Sequence, residues 1–321
     1  MNRDQASLQI ERPELASAGP ERAPASVLSD ATAQFSRQYN RKSFLFEHGL
    51  ATHPLFELQS LVELAQRTPG WEHYWANGSV RVGSGWGSGT GQRYSLPDTI
   101  ANIADNDSMV ILKHTEQDSV FGPVLQDFLG RVVAFSGEAM RSDVVLGETL
   151  ILVTSPNRIT PYHFDSEVNF LVQVRGDKWF HVFDRKDTPA VTHEELESYF
   201  DGNVSSGVYR PERESEATVY DLHAGYGVHV PVAVPHWVQN KDNVSVAISV
   251  NYDLRSVYRL TRLYRMNSRM RRLGWRPTPP GVSAWRDGVK LTAAGGAAYL
   301  RALLKRRQAP RPYGTWSPSR R

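Results

Sequence analysis

Between residues 144 and 251 the chain is a succession of short strand-like segments separated by turns every eight to twelve residues. Apolar residues alternate with polar ones within these segments, as in Phe170, Val172 and Val174. Many short strands at this regular spacing are typical of an all-β barrel or jelly roll. We place eight strands near 147–154, 161–164, 168–174, 178–184, 218–222, 227–230, 236–239 and 244–251.

Helical patterns precede the strand-rich region. From 54 to 67 apolar residues recur at spacings of three and four, which predicts a short amphipathic helix. Pro54 suits the first position of that helix, where its missing N–H costs nothing. We expect further helices at 97–105 and 121–139, and a strand at 109–114. The predicted fold class is therefore mainly β with flanking helices.

Composition divides the chain into three parts. Residues 1–33 are rich in Ala, Ser, Pro, Glu and Arg and poor in bulky apolar groups, which predicts a disordered tail. A folded domain is expected over 34–254, with its barrel core at about 144–254. Within it, 185–217 is long, polar and contains glycine, so we expect an insert between the fourth and fifth barrel strands that shapes a binding site.

The third part, 255–321, is strongly basic. It carries a net formal charge of +16, with Asp287 as its single acid, whereas 1–254 carries −13. Seven arginines spaced by three or four would form one stripe along a helix: Arg255, Arg259, Arg262, Arg265, Arg269, Arg272 and Arg276. Such a helix could pack on the acidic remainder of the chain or on a second copy, or it could present a platform for a polyanion. A last short helix is predicted at 293–307.

Several classes of protein are disfavoured. The chain has no cysteine, so disulfides and cysteine-ligated zinc are impossible. Its first residues lack the apolar run of a signal peptide, and no segment approaches the roughly 20 apolar residues of a membrane-spanning helix. We therefore expect a soluble, cytoplasmic protein that does not enter a membrane. The glycine-rich segment 83–91 lacks the Lys-Ser/Thr that follows a phosphate-binding loop, which favours a lid or turn.

One constellation of residues indicates chemistry. His163, Phe164 and Asp165 form an H-x-D triplet, and a second histidine, His236, follows about seventy residues later. Residues i and i+2 of a strand point to the same side, so His163 and Asp165 would share one cavity. Two imidazoles and one carboxylate on one face of a metal are the usual ligands of non-haem Fe(II). His229, seven residues before His236, is an alternative third ligand.

The segments around these residues carry a family pattern. The run 225–240 matches G-x5-P-x-G-x2-H-x3-N at every fixed position except Ala233, which stands where glycine is usual. Thr160 lies three residues before His163, and Lys178 lies fifteen after it. Asn169 follows His163 by six residues, and Asn251 follows His236 by fifteen. Over roughly 100–255 the chain thus resembles the JmjC and cupin-like dioxygenases. It is most similar to the branch that contains the asparaginyl hydroxylase inhibiting hypoxia-inducible factor.

The resemblance implies a double-stranded β-helix and a JmjC/cupin-like catalytic domain over 34–254. It implies Fe(II), O₂ and the cosubstrate 2-oxoglutarate, which is converted to succinate and CO₂ while an unactivated C–H bond is hydroxylated. The substrate would be an amino-acid side chain, free or within a peptide or protein, and the C-terminal helices would form a homodimer. The implied metal ligands are His163, Asp165 and His236, and the implied cosubstrate contacts are Thr160, Lys178, Asn169 and Asn251.

Two other classes of function remain open at this point. A metal-binding cupin without oxidative chemistry would keep the three metal ligands but would not need Lys178 together with Thr160. A regulatory protein could instead bind a polyanion through the arginine stripe, although we do not expect nucleic acid as the partner. Binding of that kind would weaken log-linearly with salt.

Overall fold

In a computed structural model of the chain, the described residues are 9–11, 27–28, 33–51, 53–68, 73–85, 87–89, 91–183 and 190–304. The strands, in chain order, are β1 (Gln9–Glu11), β2 (Phe44–Glu47), β3 (His73–Asn77), β4 (Ser108–Leu112), β5 (Val144–Thr154), β6 (Ile159–His163), β7 (Val168–Arg175), β8 (Lys178–Val182), β9 (Thr218–Leu222), β10 (Tyr226–Val230), β11 (His236–Asn240) and β12 (Ser245–Leu254).

The strands form two sheets. The order is β1-β9-β8-β11-β6 in one sheet and β2-β10-β7-β12-β5-β4-β3 in the other. All eight predicted strands are present as β5 to β12, and every pairing among them is antiparallel. Leu171 and Ala247 of the larger sheet belong to one buried apolar cluster with Phe180 and Leu222 of the smaller sheet. Two antiparallel sheets sharing one interior form a jelly roll, so the predicted double-stranded β-helix is confirmed.

The helices, in chain order, are α1 (Gln34–Gln38), α2 (Leu58–Arg67), α3 (Leu96–Ala101), α4 (Gly122–Ser136), α5 (Glu138–Arg141), α6 (His193–Phe200), α7 (Arg255–Arg272) and α8 (Ala284–Leu304). Short 3-10 turns lie at Pro54–Phe56, Thr115–Gln117 and Pro211–Glu216. Predicted helical segments at 54–67, 97–105 and 121–139 are therefore confirmed within a few residues.

A large apolar core joins the helices to the seven-stranded sheet. Leu61 of α2 and Leu125 of α4 pack in the same cluster as Ile248 and Val250 of β12. The intervening residues of β12 face the opposite way because side chains alternate along a strand. This alternation places Ser249 and Asn251 on the inner side of the sheet, where both line the central cavity.

Two segments carry local structure that the sequence patterns did not predict. Two short pieces of the tail predicted over 1–33 are described: Gln9–Glu11 pairs in parallel with β9, and Leu28 is buried and bridges to His48. The insert predicted over 185–217 contains α6, which begins with a capping box between Thr192 and Glu195. The rest of 1–32 and residues 184–189 lie outside the described part of the chain.

The basic C-terminal part begins with the predicted helix, α7. It packs against α6 of the insert and against α8. Helix α8 begins nine residues before the predicted 293–307, and residues 305–321 lie outside the described chain. Of the helices described, none combines the length and the apolar character needed to cross a bilayer.

Candidate active site

The three candidate metal ligands lie at one end of the smaller sheet. His163 is the last residue of β6, and His236 is the first residue of the neighbouring β11, directly opposite it. Asp165 follows β6 by two residues, and its backbone carbonyl accepts a hydrogen bond of 2.8 Å from the N–H of Ala233. Register and turn together thus bring three residues that are distant in sequence to one point.

Their side-chain atoms converge. Oδ2 of Asp165 lies 3.9 Å from Nε2 of His163 and 3.7 Å from Nε2 of His236. One ligand atom from each of the three residues lies within 4.8 Å of the others. The two imidazole rings are 4.2 Å apart between centroids, at an angle of 56°. A single cation of ordinary coordination distance fits among these atoms.

Backbone carbonyls set the tautomer of both histidines. Nδ1 of His163 lies 2.7 Å from the carbonyl oxygen of Pro161, and Nδ1 of His236 lies 3.0 Å from that of Val234. A carbonyl only accepts, so each Nδ1 carries the hydrogen and each Nε2 presents its lone pair to the centre. Burial, together with neighbouring His163, lowers the pKa of His236 to about 4. The imidazole of His236 is therefore neutral near pH 7, the form that binds a metal.

A cavity of about 380 Å³ opens between the inner faces of the two sheets. It contains all seven residues that the sequence singled out: His163, Asp165, His236, Thr160, Lys178, Asn169 and Asn251. Apolar side chains such as Leu152, Leu171 and Val238 complete its wall. A mostly apolar cavity with a few convergent polar groups is the usual form of a small-molecule site.

Lys178 is the most unusual side chain of this cavity. It is the first residue of β8 and is only 5 % exposed. Among the residues that the structure describes, no hydrogen bond or ion pair engages its ammonium group. Burial lowers the pKa of Lys178 to about 7, because a desolvated ammonium favours its neutral form. An anionic ligand would supply the missing counter-charge, and the hydroxyl of Thr160 lines the same cavity.

Asn169 and Asn251 form a polar network on the opposite wall. The side-chain N–H₂ of Asn169 donates to Oδ1 of Asn251 over 2.6 Å and to Oγ of Ser249 over 2.5 Å. The two asparagines are direct cross-strand neighbours on β7 and β12. The structure therefore brings the pair together at the cavity wall, where each side chain fixes the orientation of the other.

His229 lies outside this cluster. Its Nδ1 is 3.1 Å from the carbonyl of Asn169, and its Nε2 accepts a 2.9 Å hydrogen bond from the N–H of Asn40. Its ring packs against Phe44 and Phe170. Both nitrogens are engaged by backbone, and burial lowers the pKa of His229 to about 3. This geometry favours His236 over His229 as the third ligand.

Ionisable residues that the sequence reasoning missed line the cavity mouth. Nδ1 of His114 lies 3.3 Å from Oε2 of Glu148, and Lys113 and Glu167 line the same cavity. Burial and the neighbouring Asp165 raise the pKa of Glu167 to about 7. The sequence did carry a signal for Glu148. It lies two residues before Leu150 in β5, so the two side chains share the face of the strand that lines the cavity.

The chain is similar to a known protein family and to several solved structures. A family model described as a cupin-like domain matches residues 92–257. A solved structure of ycfD from E. coli is 11 % identical, with a TM-score of 0.51, over 88 % of this chain and 70 % of that one. A second structure, YcfD, a ribosomal oxygenase from E. coli in complex with cobalt and 2-oxoglutarate, is 13 % identical, with a TM-score of 0.47, over 88 % of this chain and 68 % of that one.

An oxalate decarboxylase from B. subtilis is 16 % identical over 34 % of this chain and 21 % of that one, with a TM-score of 0.23. No curated protein matches the sequence. At these identities the first likeness supports the fold alone. The family match, in contrast, spans slightly more than half of the sequence. The chain therefore belongs to the cupin-like domain family.

Proposed function

We propose that this protein is an Fe(II)- and 2-oxoglutarate-dependent oxygenase that hydroxylates an unactivated C–H bond. One observation carries the proposal: a single cavity holds the converging His163, Asp165 and His236 and, in its wall, the buried ammonium of Lys178, for which the described residues offer no counter-ion. When bound there, Fe(II), 2-oxoglutarate and O₂ supply the oxidising power, with release of succinate and CO₂. The substrate that we propose is an amino-acid side chain, free or within a peptide or protein.

The donor set suits Fe(II). Two imidazole nitrogens and one carboxylate leave the other coordination positions open to a cosubstrate and O₂. Hydrogen bonds from Nδ1 to the carbonyls of Pro161 and Val234 hold the imidazoles of His163 and His236 in a metal-binding orientation. Asp165 balances part of the metal charge.

Lys178 and Thr160 would hold the cosubstrate. A carboxylate beside the ammonium of Lys178 would restore its charged form and relieve the cost of its burial. Charge-assisted hydrogen bonds of this kind typically contribute about 1.5–3 kcal/mol. The hydroxyl of Thr160 can donate to the same carboxylate. Asn169 and Asn251, already fixed by each other, would define the shape of the site beside the bound cosubstrate.

The experiment is an anaerobic titration of the protein with Fe(II) and 2-oxoglutarate. We expect the weak visible charge-transfer band of a chelated 2-oxoacid, followed by succinate formation when air is admitted. Lys178→Met is expected to lose both signals while still binding metal. A wild-type protein that binds Fe(II) but gives neither the band nor succinate would instead be a metal-binding cupin without oxidative chemistry.

We also propose a homodimer and a cytoplasmic location, where Fe(II) and 2-oxoglutarate are available. Part of the arginine stripe is engaged within the chain, since Arg272 pairs with Asp201 at the C-terminal end of α6 and Arg265 donates to the carbonyl of Phe200. These contacts favour a helix that packs within the protein rather than one that presents a platform for a polyanion. Exposed apolar side chains follow on α8 and the preceding loop, including Trp275 and Trp285, the latter 76 % exposed. Such residues are typical of a surface that binds another protein copy.

Size-exclusion chromatography with light scattering tests the dimer. Trp285→Glu should convert a wild-type dimer to a monomer, because a carboxylate in an apolar interface is strongly unfavourable. Arg276→Glu, on the same surface, serves as a charge control and should leave the dimer intact. A wild-type monomer at micromolar concentration would refute the dimer.

A further inference from the structure

We propose that Tyr199 is a positioning residue for the metal-ligand segment, and that the basic helix α7 holds Tyr199 in place through Arg271. This inference rests on the proposed metal site. It gives the C-terminal basic helix a role in the chemistry of the barrel, although α7 contributes none of the residues that line the cavity.

Tyr199 contacts both neighbours of Asp165. Its hydroxyl accepts a hydrogen bond of 3.1 Å from the backbone N–H of Ser166, and its ring centroid lies 4.8 Å from that of Phe164. Phe164 is 2 % exposed and stands between the two ligands His163 and Asp165. The hydroxyl of Tyr199 therefore fixes the backbone on one side of the carboxylate ligand, and the ring fixes the side chain on the other.

Phe164 is also restricted by Gly207. A Cβ atom built on Gly207 would lie only 3.1 Å from the ring carbon Cε1 of Phe164. Gly207 belongs to the same insert as Tyr199, and the N–H of the following Val208 donates to the Glu195 carboxylate of α6 over 3.0 Å. Two parts of the insert, α6 and the segment after it, thus contact Phe164.

Helix α6 is itself fixed by α7. Arg271 forms a two-point contact with Glu197, with Nε 2.7 Å from Oε2 and one NH₂ nitrogen 3.1 Å from Oε1. The Glu197 side chain is 2 % exposed, and Arg271 is the ion-pair partner that contacts both of its oxygens. Arg265 of α7 also donates to the carbonyl of Phe200, at the end of α6, over 2.6 Å.

The geometry of α6 connects the two contacts. Successive residues of an α-helix are about 100° apart, so residues two apart point to nearly opposite sides. Glu197 therefore faces α7 while Tyr199 faces Phe164, and α6 lies between the basic helix and the metal-ligand segment. An eight-residue helix held on both sides transmits a displacement at one contact to the other.

The test measures metal affinity without turnover. Apo protein is titrated with Mn(II) alone, and free Mn(II) is quantified from its EPR signal. Loss of a hydrogen-bond partner behind a metal ligand typically costs about 10–100-fold in affinity. Because Tyr199 acts one bond further away, we expect Tyr199→Phe to weaken Mn(II) binding by about tenfold or slightly less, with little change in the melting temperature. Arg271→Met should weaken it as well, whereas Arg269→Met, on the same helix, should not.

A double-mutant cycle distinguishes positioning from a general loss of stability. If Arg271 acts through Tyr199, Arg271→Met should weaken Mn(II) binding much less in the Tyr199→Phe background than in the wild type. Additive effects would overturn the route through Tyr199, and unchanged affinity in Tyr199→Phe would overturn the positioning role itself. A wild-type protein that binds no Mn(II) would refute the proposed metal site, and this inference with it.

Discussion

Lys178 is buried, and no described residue serves as its counter-ion, so it should lower the stability of the ligand-free protein and Lys178→Met should raise that stability. Burial lowers the pKa of Lys178 from its usual 10.5 to about 7. Since one pKa unit corresponds to about 1.4 kcal/mol, this shift disfavours the folded state by about 4 kcal/mol at pH 7 relative to a side chain that never ionises. Methionine has a similar length and no charge. A gain of even half that amount would raise the melting temperature by several degrees.

The sign of the pH dependence follows from the direction of the shift. The unfolded chain holds the Lys178 proton up to pH 10.5, whereas the folded chain releases it near pH 7. The penalty is therefore fully present below pH 7 and declines as pH rises toward 10.5. The stability difference between Lys178→Met and the wild type should fall to about 2 kcal/mol at pH 9.

Urea unfolding of the metal-free protein at pH 6.5 and pH 9 measures this difference. Lys113→Met is the matched control, because Lys113 is an exposed lysine at the mouth of the same cavity and should show no gain. With metal present, 2-oxoglutarate at a hundred times its Kd should stabilise the wild type by about 2.7 kcal/mol and leave Lys178→Met unchanged. If Lys178→Met is less stable than the wild type at pH 6.5, our account of the buried ammonium is wrong.

Three further predictions follow from the site. Alanine in place of His163, Asp165 or His236 should abolish 2-oxoglutarate turnover and sharply weaken Fe(II) binding, as metal titration would show. His229→Ala should instead cost about 3 kcal/mol of stability in urea unfolding and leave the metal affinity unchanged. The affinity for 2-oxoglutarate should be constant below pH 7 and fall about tenfold per pH unit above it, because Lys178 must be protonated to bind a carboxylate; a flat profile from pH 6 to pH 9 would contradict this. Gly207→Val should displace Phe164 and weaken Mn(II) binding. Gly202→Val is the control: its side chain would meet open space, and because Gly202 has a positive φ the change should destabilise only its own turn.

The barrel was predictable because its strands follow one simple rule. Along β12, Val246, Ile248 and Val250 face the helical core, and Ser249 and Asn251 face the cavity. Alternation of this kind is visible in the sequence. It also fixes the register of the strand, since a shift of one residue would move every side chain to the other face of the sheet. Spacings of three and four predicted α7 in the same way.

Helix α6 escaped prediction for a physical reason. Its eight residues offer only Leu196 and Phe200 as buried apolar anchors, too few for a periodic signal. Its start was nevertheless marked by Thr192 and Glu195, the S/T-x-x-E signature of a capping box. What stabilises the helix is tertiary, including the contact between Glu197 and Arg271, and those two residues are separated by more than seventy positions.

Ala233 shows how a departure from a family pattern can be tolerated. The pattern expects glycine there, and the structure gives Ala233 a φ of 56°, in the left-handed region that favours glycine. Alanine in this region costs roughly 1–2 kcal/mol. Ala233 is buried and its N–H donates to the carbonyl of Asp165, so the strained turn is held beside a candidate metal ligand.

The choice between His229 and His236 depended on information that alternation alone does not carry. Both residues lie on strands, but the turn at 231–235 separates the two strands. Counting odd and even positions across that turn therefore does not tell which side chains of β11 face the cavity. Cross-strand pairing decides the matter: His229 pairs with Phe170, which faces the helical core, whereas His236 pairs with His163. Cross-strand partners share a face of the sheet. A strand histidine is therefore a ligand candidate only when its partner also faces the cavity and one ring nitrogen remains directed into it, and His236 satisfies both conditions.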